Sequence, residues 1–203
     1  MKETAPSGKT RVWLVDDDRL VLAALATGLL RAGYDIRTAE SAEEAEILLA
    51  SGDRPDLAIL DIRMSGKDGF HLARRLRELD HIPFMMLSAY SDPRMIEQAT
   101  QLGALGYLVK PLEIPQLVPG IEAALSRANE LQSLRETRRQ LQAALDSERD
   151  ISIAIGITMM QYRLTRQDAF DLLRKSARSQ RRKLGQIALE IIQASETLNL
   201  ARP

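Results

Sequence analysis

Between residues 11 and 110, short apolar runs alternate with amphipathic stretches, and this alternation constrains the fold more than any other feature of the chain. RVWLV (11–15), DIRTA (35–39), LAILD (57–61), FMMLSAY (84–90) and GYLVK (106–110) have strand length and strand chemistry. Residues 19–32, 41–50, 69–79 and 92–104 have helical spacing. Gly33 ends the first helix, Ser41 and Glu44 form a capping box on the second, and Pro93 stands in the first turn of the fourth. Strands that alternate with helices of this length imply a parallel sheet covered on both faces, and right-handed crossovers make it doubly wound. The expected class is α/β, a doubly wound five-stranded parallel sheet.

Ligands in such folds bind beyond the carboxyl ends of the strands. Asp16, Asp17 and Asp18 follow the first strand, Asp61 ends the third, Ser88 and the small Ala89 follow the core of the fourth, and Lys110 ends the fifth. Crowded carboxylates repel one another unless a cation sits between them. Oxygen ligands with room for water suit Mg2+, which commonly also engages a phosphate. Asp61 beside such an ion is a candidate nucleophile toward a phosphoryl group. Lys110 would neutralise the phosphate oxygens and Ser88 would hydrogen-bond one. Each residue alone has a plainer explanation: a helix cap, a solvated acidic loop, a strand exit at Lys-Pro. Their joint placement on these strands, in this order, points to a site.

Composition narrows the alternatives. There are no cysteines and two histidines, His71 and His81, which leaves no disulfide, thiolate nucleophile or Cys-based metal site and argues against a zinc site or histidine triad. No apolar run approaches the ~18 residues of a membrane span, and MKETAPSGKTR lacks the apolar segment of a secretory signal. A cytoplasmic setting, a disordered N-terminus over residues 1–9 and no membrane partner are expected.

VDDD (15–18), LDIRM (60–64), LSA (87–89) and GYLVKP (106–111) resemble the receiver domain of two-component response regulators, a flavodoxin-like fold. The resemblance covers residues 10–125. It implies a phosphoacceptor at Asp61, Mg2+ held by Asp16, Asp17, Asp61 and the backbone carbonyl of Arg63, and phosphoryl contacts from Ser88 and Lys110. Tyr107 stands at the family's switch-aromatic position. Arg63 and Tyr90 stand where the family tunes phosphate lifetime. Ser65 departs from the proline usual at its position, which implies a less rigid loop after Asp61.

From Ile121 to about Met160 there is no proline and the composition favours helix. Leu131, Leu134, Leu141 and Leu145 fall at spacings of 3, 7 and 4, a heptad-type seam interrupted by Arg138. A linker helix over residues 121–150 in a dimeric coiled coil is expected; a helix folded back on its own receiver is the alternative.

Residues 1–130 carry 15 Lys and Arg against 20 Asp and Glu, a charge of −5, whereas residues 131–203 carry 13 against 8, a charge of +5. Two modules with different partners follow from this asymmetry. ISIAIGITMM continues the long helix. Thr165 and Asp168 cap a second, with Ala169, Phe170, Leu172, Leu173 and Ala177 inward, and a third places Leu184, Ile187, Ala188, Ile191 and Ile192 inward. The outcome is a small all-α three-helix unit. Arg174, Lys175, Arg178, Arg181, Arg182 and Lys183 gather at the bend between the last two helices, a footprint for nucleic acid or a solvated face of the bundle.

IAIGITM (153–159), DAFDLLRKSAR (168–178) and KLGQIA (183–188) resemble the ANTAR domain of AmiR- and NasR-type antitermination regulators. Arg181 stands where that family often has a polar capping residue. The resemblance, carried in an ANTAR region over 145–200, implies binding to RNA hairpin loops, whose unstacked bases suit a compact basic surface. The expectation is a non-enzymatic response regulator, phosphorylated by a sensor histidine kinase, that binds hairpins in nascent transcripts and promotes antitermination. A DNA-binding regulator, a protein-interaction regulator using dimeric helices and, more remotely, a phosphohydrolase are the alternatives.

Overall fold

A computed structural model describes residues 8–199. Of the N-terminus expected to be disordered, residues 1–7 lie outside the described part, as does residue 200 at the end of the expected ANTAR region. The chain divides into two units, Met1–Gln132 and Ser133–Pro203.

In the first unit, β1 (Arg11–Val15), β2 (Asp35–Ala39), β3 (Leu57–Asp61), β4 (Phe84–Ser88) and β5 (Tyr107–Val109) form one parallel sheet in the order β2-β1-β3-β4-β5. The doubly wound arrangement read from the sequence is the one observed. Successive strand residues face opposite ways. Val12, Leu14, Leu57, Ile59, Met85 and Leu87 therefore pack under α1 (Arg19–Arg31) and the start of α5 (Ile114–Tyr162). Trp13, Val15, Ala58, Leu60, Phe84 and Met86 pack with apolar residues of α2 (Ala42–Ala50), α3 (Gly69–Arg75) and α4 (Pro93–Gln101). Gly28 lets α1 approach α5, since a Cβ there would lie 2.3 Å from Ile114.

Several boundaries differ from the sequence reading. The helix expected over 69–79 is α-helical only to Arg75; a π-helical turn, Leu76–Asp80, follows and ends at His81 with φ 55°. The wider turn buries Leu76 while its carbonyl accepts from the Ile82 N–H at 2.9 Å. The fourth strand stops at Ser88, leaving Ala89 and Tyr90 on the rim. The last receiver helix and the expected linker helix are one continuous element, Ile114–Tyr162, which contains Pro119. A proline so near the start removes only one amide donor from the ladder.

The second unit has its own core, made by Ala154 and Ile155 of α5, Ala169, Leu173 and Ala177 of α6 (Arg166–Ser179), and Ile187 and Ala188 of α7 (Leu184–Asn199). The Thr165 hydroxyl accepts from the Asp168 N–H, as an N-cap does, and donates to the Asp168 carboxylate. Leu172, expected inward, is 42% exposed.

Candidate functional site

The residues singled out at the strand ends meet at one rim. Asp16 and Asp61 are buried, and Lys110 reaches both: its Nζ lies 2.6 Å from Asp16 Oδ2 and 2.7 Å from Asp61 Oδ1. Carboxylate oxygens of Asp16, Asp17 and Asp61 all lie within 4.8 Å of one another. Backbone donors orient the two buried acids: Asp18 N–H donates to Asp16 Oδ1, and Arg63 N–H donates to Asp61 Oδ2, each at 3.0 Å. Asp18 itself is the N-cap of α1, accepting from the N–H groups of Leu20 and Val21. The acidic run thus divides into two site residues and one cap.

Why the sheet delivers this geometry is local. β3 carries Asp61 to the end of a strand buried along its length, and after the loop 62–68 the chain returns to it at the start of α3. Gly69 permits that close return, because a Cβ there would lie 2.0 Å from the Asp61 carbonyl oxygen. Ser88, buried at the end of β4, stands one residue past the register partner of Asp61, and its hydroxyl accepts from the Tyr90 N–H at 3.1 Å. The Lys110 N–H donates to the Ser88 carbonyl at 2.7 Å, which seats the lysine beside the acids.

Burial pushes the Asp61 carboxyl above its ordinary pKa, and Asp16 adds to this against the opposing pull of Lys110. Burial works against the Lys110 ammonium, but the hydrogen bonds and charges of Asp16 and Asp61 outweigh it and raise its pKa. A site with two buried acids and one half-buried cation beside an exposed third acid has spare negative charge. Its donors are hard oxygens, the chemistry that a small divalent cation such as Mg2+ takes. The donor set therefore fits the ion.

Tyr107 is half-buried, and its hydroxyl donates to the Tyr90 carbonyl at 2.8 Å. The Arg63 guanidinium stacks over the Tyr90 ring, 4.7 Å from its centroid. Ser65 was legible only as a missing proline. In the structure its N–H and its hydroxyl both donate to Asp17 Oδ2, each at 2.8 Å. A hydroxyl two residues past Arg63, in a loop facing acids, was the signal available.

Of the basic residues at the α6–α7 bend, Arg174, Lys175, Arg178, Arg181 and Lys183 are exposed, whereas Arg182 is half-buried and pairs with Glu190 of α7 through both guanidinium nitrogens. Arg181 has φ 54°, the left-handed conformation that asparagine or glycine adopts more readily. Tyr162 is 60% exposed at the end of α5, and Arg163 beside it has φ 56°. Amphipathic spacing gave no reason to single out either.

A flavodoxin-like sheet whose rim gathers acids around a lysine defines the class: a receiver-type α/β module followed by a separate helical unit. The response regulator receiver domain family matches residues 12–122, and the ANTAR domain family matches residues 139–192. The transcriptional regulatory protein PdtaR of Mycobacterium tuberculosis is 30% identical over 187 residues, 92% of this chain and 91% of that protein. The transcriptional regulatory protein AfsQ1 of Streptomyces coelicolor is 38% identical over 114 residues, 56% of this chain and 50% of that protein. Among solved structures, the chemotaxis protein CheY4 of Vibrio cholerae superimposes with a TM-score of 0.53 at 28% identity, covering 58% of this chain and 99% of that one. The chain belongs to the two-component response regulators that carry an ANTAR domain behind the receiver. No helix among the described residues is long and apolar enough to cross a membrane.

Proposed function

We propose that a sensor histidine kinase phosphorylates Asp61 and that the phosphorylated chain binds RNA hairpins in nascent transcripts, in the cytoplasm, to promote antitermination. It is a switch and not a turnover enzyme. A carboxylate oxygen of Asp61 attacks phosphorus on the donor's phosphohistidine; the P–N bond breaks, its electron pair goes to the imidazole, and an acyl phosphate forms. Asp16, Asp17, Asp61 and the Arg63 carbonyl would hold Mg2+, which supplies charge neutralisation for the phosphoryl oxygens. Lys110 neutralises a further oxygen and Ser88 donates to another. The extra negative charge draws Ser88 inward, and Tyr107 follows into the space released. The resulting population shift alters self-association along α5 or exposure of the helical unit. The dimer forms on the leucine seam, and RNA meets the basic surface that includes Arg174, Lys175, Arg178, Arg181 and Lys183.

The observation that carries this reading is Lys110 bridging two buried aspartates at the rim of a receiver sheet. Incubation with acetyl phosphate and Mg2+ should add about 80 Da, one phosphoryl group, and an Asp61→Asn variant should gain none. Gel shifts with paired RNA hairpins and with duplex DNA, on phosphorylated and unphosphorylated protein, test the output. Preferential duplex binding would make the chain a DNA-binding regulator; binding to neither would leave protein interaction as the output.

A further inference from the structure

We propose that Ser65 is a positioning residue for the cation site, holding the Asp17 carboxylate beside Asp16 and Asp61 through its N–H and its hydroxyl. The role rests on the phosphoacceptor reading above. The three acids are not held alike. Asp16 and Asp61 are buried, tied to Lys110 and each fixed by a backbone donor. Asp17 is exposed on the loop between β1 and α1, where an unrestrained carboxylate samples several rotamers. Ser65 comes from the loop between β3 and α3, 48 residues away, and directs two donors at the one oxygen Oδ2, each at 2.8 Å. Both lone-pair positions of Oδ2 are then used, which leaves Oδ1 for a cation.

Ligating carboxylates characteristically need such outer partners to fix their orientation. Proline at this position offers neither donor, alanine offers one, and threonine offers both. The side chain that looked like a loss of loop rigidity is therefore a gain of control over one ligand. The opposite relation, with Ser65 competing against the ion for Asp17, predicts the opposite sign.

Mg2+ titrated calorimetrically into the full chain separates the two. Ser65→Ala should bind Mg2+ severalfold more weakly than wild type, Ser65→Pro about tenfold more weakly, and Ser65→Thr should restore wild-type affinity. Thermal unfolding without metal checks that each variant folds; should Ser65→Pro not fold, Ser65→Ala and Ser65→Thr still decide. Equal or tighter binding by Ser65→Ala, or no recovery in Ser65→Thr, overturns the role of Ser65 alone. No Mg2+ binding by the wild type overturns the cation site itself, and this role with it.

Discussion

Asp61 sits under conflicting influences: burial and Asp16 favour its neutral form, while Lys110 and the Arg63 N–H favour the carboxylate a nucleophile must present. Under the proposed phosphorylation of Asp61, the lifetime of the acyl phosphate depends on water. Arg63 and Tyr90 each lie two residues past a site residue, and their stacking covers the rim between β3 and β4. An exposed cation–π pair contributes roughly 0.5–1 kcal/mol. Tyr90→Ala should therefore shorten the lifetime of the acyl phosphate about fivefold, read as the decay of the phosphoryl mass with time. An unchanged decay would show that the stack does not gate water. Farther from the rim, the Tyr34 hydroxyl at the head of β2 donates to Glu122 of α5, and burial, then Glu122, pushes its pKa up to about 12. Folding thus favours the protonated phenol. That contribution is complete below pH ~10, the unfolded value, and is lost as pH rises toward 12. Discounted for partial solvent access, it is on the order of 1 kcal/mol. Between pH 9 and 12 the wild type should lose this increment relative to Tyr34→Phe, measured by urea midpoints.

At the scale of elements, two glycines make opposite predictions. Gly69 opens α3 against the end of β3, and a Cβ there would meet the Asp61 carbonyl at 2.0 Å, which is backbone and cannot swing away. Gly69→Ala should destabilise the first unit by about 2–3 kcal/mol and slow phosphorylation by moving Asp61. Gly156 lies exposed within α5, with nothing within 4 Å of a built Cβ. Gly156→Ala should stabilise the helical unit by roughly 0.5–1 kcal/mol; destabilisation would mean that another molecule packs there. The sheet and its rim were legible because buried parallel strands are continuous apolar runs, and a charged residue at the end of such a run has nowhere to be but the edge. Asp16, Asp61, Ser88 and Lys110 stood out for that reason. The π-turn after Arg75 was not legible: its residues keep helical composition, and only the packing of Leu76 and the left-handed His81 select the wider turn. Nor were the partners of Ser65 and Arg182, since Asp17 and Glu190 are brought to them by the folded chain and not by spacing.

For the whole molecule, the decisive question is what covers the middle of α5. Leu131, Leu134, Leu141 and Leu145 are 45–62% exposed in the single chain. They lie between the residues of α5 that enter the receiver core, the last of them Leu125, and those of the helical core, which begins at Ile151. Neither core uses them. A helix with an apolar seam of heptad spacing gains stability by pairing the seam with an identical one, each buried leucine contributing about 1.5–3 kcal/mol at full burial. Arg138, in the seam between Leu134 and Leu141, costs part of that gain. If the seam pairs as proposed, four leucines per chain against one charge give a dimer whose formation a modest change in the receiver can shift. Replacing Leu134 and Leu141 with lysine puts like charges face to face in such a pair while touching neither core. Sedimentation should then show a monomer at concentrations where wild type treated with Mg2+ and beryllofluoride is a dimer, with both unfolding transitions retained. If RNA recognition needs two copies, affinity for a pair of hairpins should fall far more than affinity for one. Identical sedimentation of the variant and the wild type would mean that the seam is not the self-association surface.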